Sequence, residues 1–584
     1  MRRAELLDLE KLRHYGNESR DSSHDGYHPF DISGLQLYNP VYSVVFQPGF
    51  DAASTALDHR YEVVDATHVR DEGGVIFNRN IHFKFSPLMD PFAYMIGKYD
   101  KKSSDVALPL YPPATTTETE EKINDACNAA YVDCFFNYLS NMLLEKHGFV
   151  HGIEYYGSYL GVQKKFRVNV TDDMDHLRNS LFFNKNMGKL FTVPDLENDF
   201  LNVIGGSRRN KVRIDVVDDV VDLLDGVECL DDRGLLLQKY PSPMSGEEVE
   251  TVYARKVAAA VVDRSSTASS STSSASDSDL NYTTDGDNDD DEEDEDDSTV
   301  NADEDNGNHE EESDKDESET EDESETEDEQ ETVGYINDFP TQMICMEKCE
   351  GTLDELFVHG QMDNDLGSSA MMQVIMTLLT YQKAFGFTHN DLHTNNIMWV
   401  STDRDFLDYQ YEGRRYRVPT YGRIYKIIDF GRGIYRYKGN LFCSDSFFAK
   451  GDAATQYNFG PFLNTEKPVL EPNPSFDLCR LGVSIFDFVM GQNNVDVGDM
   501  DPFQKTIRRW CMDDNKHNVL YKRNGDDRYP NFKLYKMIAR TVHKHTPEAQ
   551  LNFSIFKQFL VDEEEKEDPV ECMNLDNIPN YQEM

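Results

Sequence analysis

The sequence is poor in positive charge, because 57 Lys and Arg residues stand against 108 Asp and Glu in a chain of 584, which gives a formal net charge of −51. A surface that binds nucleic acid needs excess Lys and Arg to neutralise phosphates, so direct nucleic-acid binding is excluded. Long apolar runs are also lacking: no window reaches the ~18 apolar residues of a membrane-spanning helix, and the first residues show no apolar signal segment. We therefore expect an intracellular protein without membrane contact.

Cysteine is scarce and irregularly placed. Nine cysteines are scattered along the chain, and no two of them have the Cys-x-x-Cys spacing of metal or redox motifs. Most lie inside apolar runs, where a thiol behaves as a small buried hydrophobic group. The pattern predicts reduced thiols in a cytosol-like compartment.

The excess negative charge is concentrated in one tract, Ser265–Thr332, which contains 31 acidic residues and a single basic one, Lys315. The rest of the chain carries a net charge of only −21. Like charges repel and the tract has almost no apolar residues, so we predict a disordered acidic linker. Its serines and threonines precede acidic residues, and phosphorylation there would add negative charge. The tract is either a solvated spacer or an arm that binds basic proteins.

Apolar periodicity predicts a mixed α+β fold in which strands dominate early and helices late. In the longest early helix, Val132, Phe136, Leu139 and Leu143 form one apolar stripe. The predicted elements are a hairpin at 75–85, a helix at Asn124–Lys146, strands at Gly152–Val162 and Gln342–Glu347, a helix at Ser368–Phe385, strands at Ile397–Val400 and Ile424–Ile428, and an added hairpin at Arg404–Arg423.

Two polar motifs lie beside the last two of these strands. The run His389-Asn390-Asp391-Leu392-His393-Thr394-Asn395-Asn396 precedes one strand, and Asp429-Phe430-Gly431 follows the other. Asp391 can accept the proton of an attacking hydroxyl, whereas Asn396 and Asp429 offer the hard oxygen ligands that Mg²⁺ prefers. Such a set suits phosphoryl transfer, which depends on positioning and on neutralising phosphate charge.

Together and in this order, the two motifs resemble the catalytic loop and the Mg²⁺-binding triplet of the protein-kinase superfamily. The resemblance implies a bilobal kinase-like fold and transfer of the γ-phosphoryl group of ATP, with Mg²⁺, to Ser or Thr of protein substrates. It gives Asp391 the role of base and brings His393 near the γ-phosphate.

Three stretches are similar to the protein-kinase-like proteins of large nucleocytoplasmic DNA viruses, namely Phe85–Pro91, His393–Met398 and Arg528–Arg540. The similarity covers roughly residues 36–160 and 340–560. It implies a location in the host cytoplasm, the viral factory or the virion.

The nucleotide site is also expected from this resemblance. The segment Met343–Leu353 is similar to the strand and hinge that hold adenine, which implies that backbone groups of Glu347 and Cys349 bind the base and that Met346 lies behind it. Asp477–Val483 resembles the Asp-x-Trp-Ser-x-Gly start of a long central helix, whose Asp477 would hold the catalytic-loop backbone.

Lys84 is the candidate for binding the α- and β-phosphates, because it lies on an apolar strand between two phenylalanines. A surface lysine on an edge strand is the alternative interpretation. Its carboxylate partner would come from the helix Asn124–Lys146, which offers Asp133 and Glu145, and we favour Asp133.

The sequence also departs from the kinase pattern. No Gly-x-Gly-x-x-Gly loop precedes Lys84, and only Gly73-Gly74 marks a turn there. Asn390 replaces the usual Arg beside the base, His393 replaces the usual Lys, and no Ala-Pro-Glu triplet follows Asp429. These departures put nucleotide affinity and regulation by a phosphorylated loop in doubt.

The resulting division comprises an N-terminal extension (1–60), the first part of a kinase N-lobe (61–200), a partly ordered insertion (201–264), the acidic linker (265–332), the last N-lobe strand and hinge (333–350), a C-lobe (351–562) and an acidic C-terminal tail (563–584). We expect a monomeric serine/threonine protein kinase. A pseudokinase or scaffold whose acidic arm binds basic proteins is the alternative, and a small-molecule kinase is the third possibility. The intact Asp391, Asn396 and Asp429 favour the first.

Overall fold

The structure, a computed structural model, describes residues 1–16, 27–100, 102–113, 117–194, 331–449, 451–491, 498, 500–522, 524–530, 532–561 and 571–583. The predicted insertion 201–264 and all but the last two residues of the acidic linker lie outside the described residues. Among the described helices, none is long and apolar enough to cross a membrane.

Strands and helices both make up much of the described chain, so the predicted α+β class is confirmed. The strands are β1 (Arg2–Arg3), β2 (Ile32–Gln36), β3 (Thr55–Ala56), β4 (Tyr61–Val63), β5 (His68–Asp71), β6 (Ile76–Asn78), β7 (Ile81–Pro87), β8 (Tyr155–Asn169), β9 (Phe191–Thr192), β10 (Val333–Glu347), β11 (Gly351–Thr352), β12 (Ile397–Ser401), β13 (Phe406–Tyr411), β14 (Arg414–Pro419), β15 (Arg423–Ile427), β16 (Ile434–Tyr437), β17 (Asn440–Cys443) and β18 (Cys572–Asn574). The helices are α1 (Leu9–Gly16), α2 (Tyr42–Val45), α3 (Pro91–Met95), α4 (Glu118–Asn124), α5 (Ala129–His147), α6 (Met174–Arg178), α7 (Leu181–Asn186), α8 (Leu353–Val358), α9 (Asn364–Phe385), α10 (Phe476–Met490), α11 (Pro502–Trp510), α12 (Lys533–Thr541), α13 (Pro547–Gln550) and α14 (Ser554–Lys557).

The largest sheet is antiparallel and has the strand order β2-β8-β10-β7, with β9 also paired to β10. Side chains of β10 alternate between two apolar cores: Ile344 and Met346 lie in one, and Met343 and Cys345 in the other. Lys84 on β7 is directly opposite Ile344. Since opposite residues of an antiparallel pair share a face, Lys84 lies on the same face of the sheet as Ile344, whose core also contains residues of α5.

The hairpin predicted at 75–85 is wrong, although both of its strands exist. β6 pairs with β5 in a separate sheet with β4, whereas β7 pairs with β10. The tight turn lies one strand earlier, where the Asp71 side chain accepts from the Val75 N–H and Gly74 has φ +80°. Alternation predicted the strands but not their partners, because the partner of β7 comes much later in the chain.

The helix predicted at Asn124–Lys146 is interrupted near its start. The chain forms α4, turns, and begins α5 where the Asn128 side chain caps the Ala130 N–H. The Asn128 amide also donates to the Leu88 carbonyl at 2.9 Å, so a tertiary contact holds the break. Gly148, in the left-handed conformation, ends α5.

Other predicted elements are present but longer than the local pattern indicated. β8 and β10 each extend to 15 residues because they pair with each other over almost their whole length. The predicted hairpin at Arg404–Arg423 is confirmed as β13 and β14, whose turn has Glu412 and Gly413 at positive φ.

Both chain ends join the folded part. β2, from the segment set apart as an N-terminal extension, is an outer strand of the largest sheet. β18, from the predicted tail, pairs in parallel with β13, and Leu575 and Ile578 beyond it are buried. The helical part is built around α9, which is buried over most of its length, and a second apolar cluster in which α10 and α12 pack together.

Candidate active site

Lys84 lies at the centre of an ion-pair cluster formed by three distant segments. Its Nζ is 2.7 Å from Oδ2 of Asp133 on α5 and 2.8 Å from Oδ1 of Asp429, which follows β15. Of the two carboxylates considered as partners, Asp133 therefore contacts Lys84. Glu145 instead accepts hydrogen bonds from the Arg60 backbone and the Asn141 side chain.

The charges of this cluster depend on one another. Burial alone would lower the pKa of Lys84, but the two carboxylates outweigh it and raise that pKa. The ion pair with Lys84 lowers the pKa of Asp429, whose side chain is half-exposed. Asp133 is almost fully buried, and burial raises its pKa. Lys84 is thus held charged between one buried carboxylate and one that faces the open side of the site.

The segment around Asp429 is fixed from both sides. The Phe430 N–H donates to Asp133 Oδ1 at 2.8 Å, and the Phe430 ring is buried against Phe136 and Phe387. Asp429 itself has φ +61°, a left-handed conformation that costs free energy for a residue other than glycine. Such strain persists where surrounding contacts enforce it, and it is common at functional sites.

The loop that carries Asp391 is anchored by Asp477 at the start of α10. Its two carboxylate oxygens accept from the N–H groups of His389 and Asn390, both at 2.9 Å. The backbone-holding role predicted for Asp477 is therefore confirmed. Asn390 has φ +64°, and its side chain donates to the Arg432 carbonyl and accepts from the Tyr457 hydroxyl. Asn390, an uncharged side chain, thus connects the loop to the segment after Asp429 through a neutral hydrogen bond.

Asp391 has one engaged oxygen and one open oxygen. Oδ1 accepts from the Tyr535 hydroxyl at 2.8 Å and lies 3.9 Å from Nε of Arg480. Among the described residues no donor binds Oδ2, and the side chain is 26% exposed. Burial opposes ionisation, but Arg432 and other neighbours outweigh it, so the pKa of Asp391 is lowered. An ionised carboxylate with an open oxygen is suited to accept a proton.

His393 lies beside Asp391 and is neutral at physiological pH. Burial, together with the positive charge of Arg480, lowers the pKa of His393 to about 4. It can donate one hydrogen bond but does not supply the positive charge of a lysine at this position.

Asn396 and Asp429 each keep one oxygen available for a divalent cation. The Asn396 amide nitrogen donates to the Asp391 carbonyl at 2.9 Å, which leaves Oδ1 without a donor among the described residues. Lys84 donates to Oδ1 of Asp429, and Oδ2 of Asp429 has no donor among the described residues. The backbone ties their segments together, since the Ile428 N–H donates to the Asn396 carbonyl. The pair fits Mg²⁺, which takes few protein oxygens and completes its shell with water and phosphate. In the described part of the chain, no group of three His, Cys, Asp or Glu side chains forms a metal centre.

The segment expected to hold adenine ends β10. Met346 is buried in the core opposite His82, as expected for a residue behind a pocket. The Glu347 N–H already donates to the Glu154 carbonyl, so the Glu347 carbonyl and the Cys349 N–H, which has no acceptor among the described residues, are the groups left for a base.

The Glu347 side chain makes a contact that the sequence analysis missed. It forms a buried ion pair with Lys426 of β15, which also donates to the Gly152 carbonyl. The sequence does contain a signal for this ion pair. Lys426 interrupts an apolar strand, and a buried lysine needs a partner of opposite charge.

Tyr535 and Arg480 were also missed as neighbours of Asp391. Arg480 stands among apolar residues at the start of α10, which is a comparable signal. Nothing in the local sequence marks Tyr535, because it lies 144 residues from Asp391.

A polar cavity of about 310 Å³ lies apart from this site and is lined by Ser103, Ser104, Lys164, Lys165, Lys189, Leu190, Asn337 and Asp338. Asn337 is seven residues along β10 from Ile344, the residue opposite Lys84. At ~3.3 Å per residue this is roughly 23 Å, so the cavity is not part of the candidate active site.

No family model matches the chain, and no curated protein is significantly similar to it. The functional assignment therefore depends on the geometry of the site.

Proposed function

We propose that the protein is an ATP- and Mg²⁺-dependent serine/threonine protein kinase with a bilobal kinase-like fold. The observation that carries this proposal is the cluster of Lys84, Asp133 and Asp429, which brings the candidate phosphate-binding lysine and the candidate metal ligand into contact. Asp391, with an open oxygen, lies close enough to Asp429 for their charges to interact. A lysine, a metal-binding carboxylate and a base in one site are the parts that phosphoryl transfer requires.

Each of these residues would have a distinct role in the reaction. The substrate hydroxyl oxygen forms a bond to the γ-phosphorus of ATP while its proton passes to Oδ2 of Asp391. The bond between the γ-phosphorus and the bridging oxygen breaks, and ADP leaves with that oxygen. Lys84 would hold the α- and β-phosphates, and Asp133 would keep Lys84 in place. His393 would donate one neutral hydrogen bond to the γ-phosphate.

Asn396 and Asp429 would hold Mg²⁺, which would neutralise negative charge on the phosphates. Two protein oxygens would suffice, because Mg²⁺ typically takes only a few ligands from the protein. Removal of divalent cations should therefore abolish transfer.

One observation favours the pseudokinase or scaffold as a second candidate. Within the described residues, β7 is the last strand of its sheet, and the hairpin before it belongs to a different sheet. In the part of the chain that the structure describes, no glycine-rich pair of strands therefore extends this sheet beyond β7, the strand of Lys84. Phosphates bound there would be more exposed to water, and nucleotide affinity would be lower than in an enclosed site.

Transfer of labelled phosphate from ATP to a mixture of serine- and threonine-containing proteins tests the proposal. Asp391→Asn and Asp429→Ala should each lower incorporation by at least about 100-fold, because they remove the base and a metal ligand. Asp526→Asn is the matched control, since it changes an exposed aspartate in the same part of the chain.

Equal incorporation by all four proteins would refute the kinase assignment. A thermal-shift measurement separates the second candidate. Absence of stabilisation by millimolar ATP with Mg²⁺ would favour the scaffold.

A further inference from the structure

We propose that Tyr535 is a positioning residue for Asp391, and that Arg480 directs its hydroxyl proton. This inference depends on the proposed kinase function, because it assigns the orientation of the base in that reaction. The two residues come from α12 and α10, outside both polar motifs.

The direction of each hydrogen bond follows from the chemistry of the groups. Arg480 Nε can only donate, and it lies 2.9 Å from the Tyr535 oxygen, which therefore accepts. A tyrosine hydroxyl has a single proton. That proton is then directed to Asp391 Oδ1, at 2.8 Å. The contact fixes Oδ1 and leaves Oδ2 as the open oxygen.

Burial makes this arrangement rigid. Arg480 is 1% exposed and Tyr535 is 3% exposed, so bulk water has little access to either side chain. Two guanidinium groups lie close to the Tyr535 ring. The Cζ atoms of Arg480 and Arg432 are 5.2 and 5.7 Å from the centroid of the ring. Burial raises the pKa of Tyr535 to about 12, so the hydroxyl keeps its proton at neutral pH.

The arrangement also concerns two positions that differ from the kinase pattern, His393, noted above, and Arg480. His393, which replaces a lysine, is neutral, so the positive charge near Asp391 comes from Arg432 and Arg480. Arg480 stands at the serine of the Asp-x-Trp-Ser-x-Gly pattern that Asp477 opens. An arginine in place of that small residue brings a positive charge close to the base, and its Nε–H donates to the Tyr535 hydroxyl.

The test compares Tyr535→Phe with the matched control Tyr521→Phe. Both changes delete one hydroxyl that donates to an aspartate, but Tyr521 donates to Asp487, away from Asp391. Tyr535→Phe should lower kcat about 10- to 100-fold, the range for losing a hydrogen bond to a charged group. KM for ATP and for the protein substrate should stay within about twofold, because a misoriented base affects the chemical step and not binding. The control should keep the wild-type kcat.

A more acidic tyrosine gives a second measurement that does not depend on the stability of Tyr535→Phe. With 3,5-difluorotyrosine in place of Tyr535, the hydroxyl should ionise at a lower pH and then no longer donate. Activity should therefore fall at alkaline pH in this protein, at a lower pH than in the wild type.

The outcomes distinguish the two proposals. Wild-type protein without phosphoryl transfer refutes both. If the wild type is active, three results refute the positioning role alone. They are an unchanged kcat in Tyr535→Phe, a KM for ATP that rises in step with the loss of kcat, and no loss of activity at alkaline pH in the fluorinated protein.

Discussion

The buried ion pair between Glu347 and Lys426 allows the most direct test of what holds the site together. It joins the end of β10, where adenine would bind, to β15, which leads into Asp429. Lys426→Met keeps the length of the side chain but removes the charge. Glu347 would then remain with the Glu154 N–H as its one donor among the described residues, and the Gly152 carbonyl would lose its partner.

The expected loss in the free energy of unfolding follows from the burial of the two side chains. The side chains of Lys426 and Glu347 are 5% and 16% exposed, so the carboxylate left behind is largely desolvated. Breaking such a pair from one side costs roughly 3–5 kcal/mol, and the residual exposure and retained donor place the expected loss in free energy of unfolding at about 3 kcal/mol. Adding Glu347→Gln removes the stranded charge and should restore more than about 1 kcal/mol.

Urea unfolding followed by tryptophan fluorescence measures these changes, since Trp399 is on β12, the neighbour of β15, and Trp510 is buried in α11. The control is Lys11→Met, which breaks a pair with Asp8 whose side chains are 58% and 53% exposed, and it should cost about 0.5 kcal/mol or less. A loss in Lys426→Met no larger than that of the control would refute the reasoning.

Three further predictions concern the charges of the site and of the acidic tract. Burial lowers the pKa of His393 to about 4, so kcat at saturating Mg²⁺-ATP should not fall as pH rises through 6–7. A decrease in kcat centred near pH 6.5, the ordinary pKa of histidine, would contradict this. Asp429→Asn should strengthen binding of metal-free ATP in equilibrium titrations, because it removes a carboxylate that both repels phosphates and occupies Lys84; unchanged affinity would show that the contact does not oppose the nucleotide. Replacing Ser265–Thr332 with a neutral linker of equal length should weaken capture of basic proteins and leave ATP turnover unchanged, whereas unchanged capture would identify the tract as a spacer.

Local sequence patterns predicted the parts of the site that are themselves local. Asp391 and Asn396 lie five residues apart in one loop, and Asp429 directly follows a strand, so their residue types and order led to the prediction of a phosphoryl-transfer site. Lys84 was recognisable because alternation with Phe83 and Phe85 placed it on one face of a strand. The helical stripe indicated α5, and through it Asp133.

The parts that could not be predicted are contacts between residues far apart in the chain. The β10 pattern indicated six residues, but pairing with β8 extends the strand to 15, through Asn337 and Pro340, which are weak strand formers. The false hairpin at 75–85 has the same origin, because β7 finds its partner in β10. Strand pairing is decided by burial across the whole sheet, which local periodicity does not contain.

Charge neutralisation explains why distant residues converge on this site. A buried ion needs a partner of opposite charge, or several donors, to offset its desolvation. Asp133 is buried with Lys84, and Asp477 is buried with two backbone donors. Asp391 has the Tyr535 hydroxyl with Arg480 and Arg432 near it. Asp133 and Lys84 come from two elements that lie far apart in the chain. In the other two cases a motif supplies one member, and a distant element that only the complete fold brings near supplies the other. The short motifs therefore identify which atoms would react, whereas their ionisation and orientation depend on residues that no motif contains.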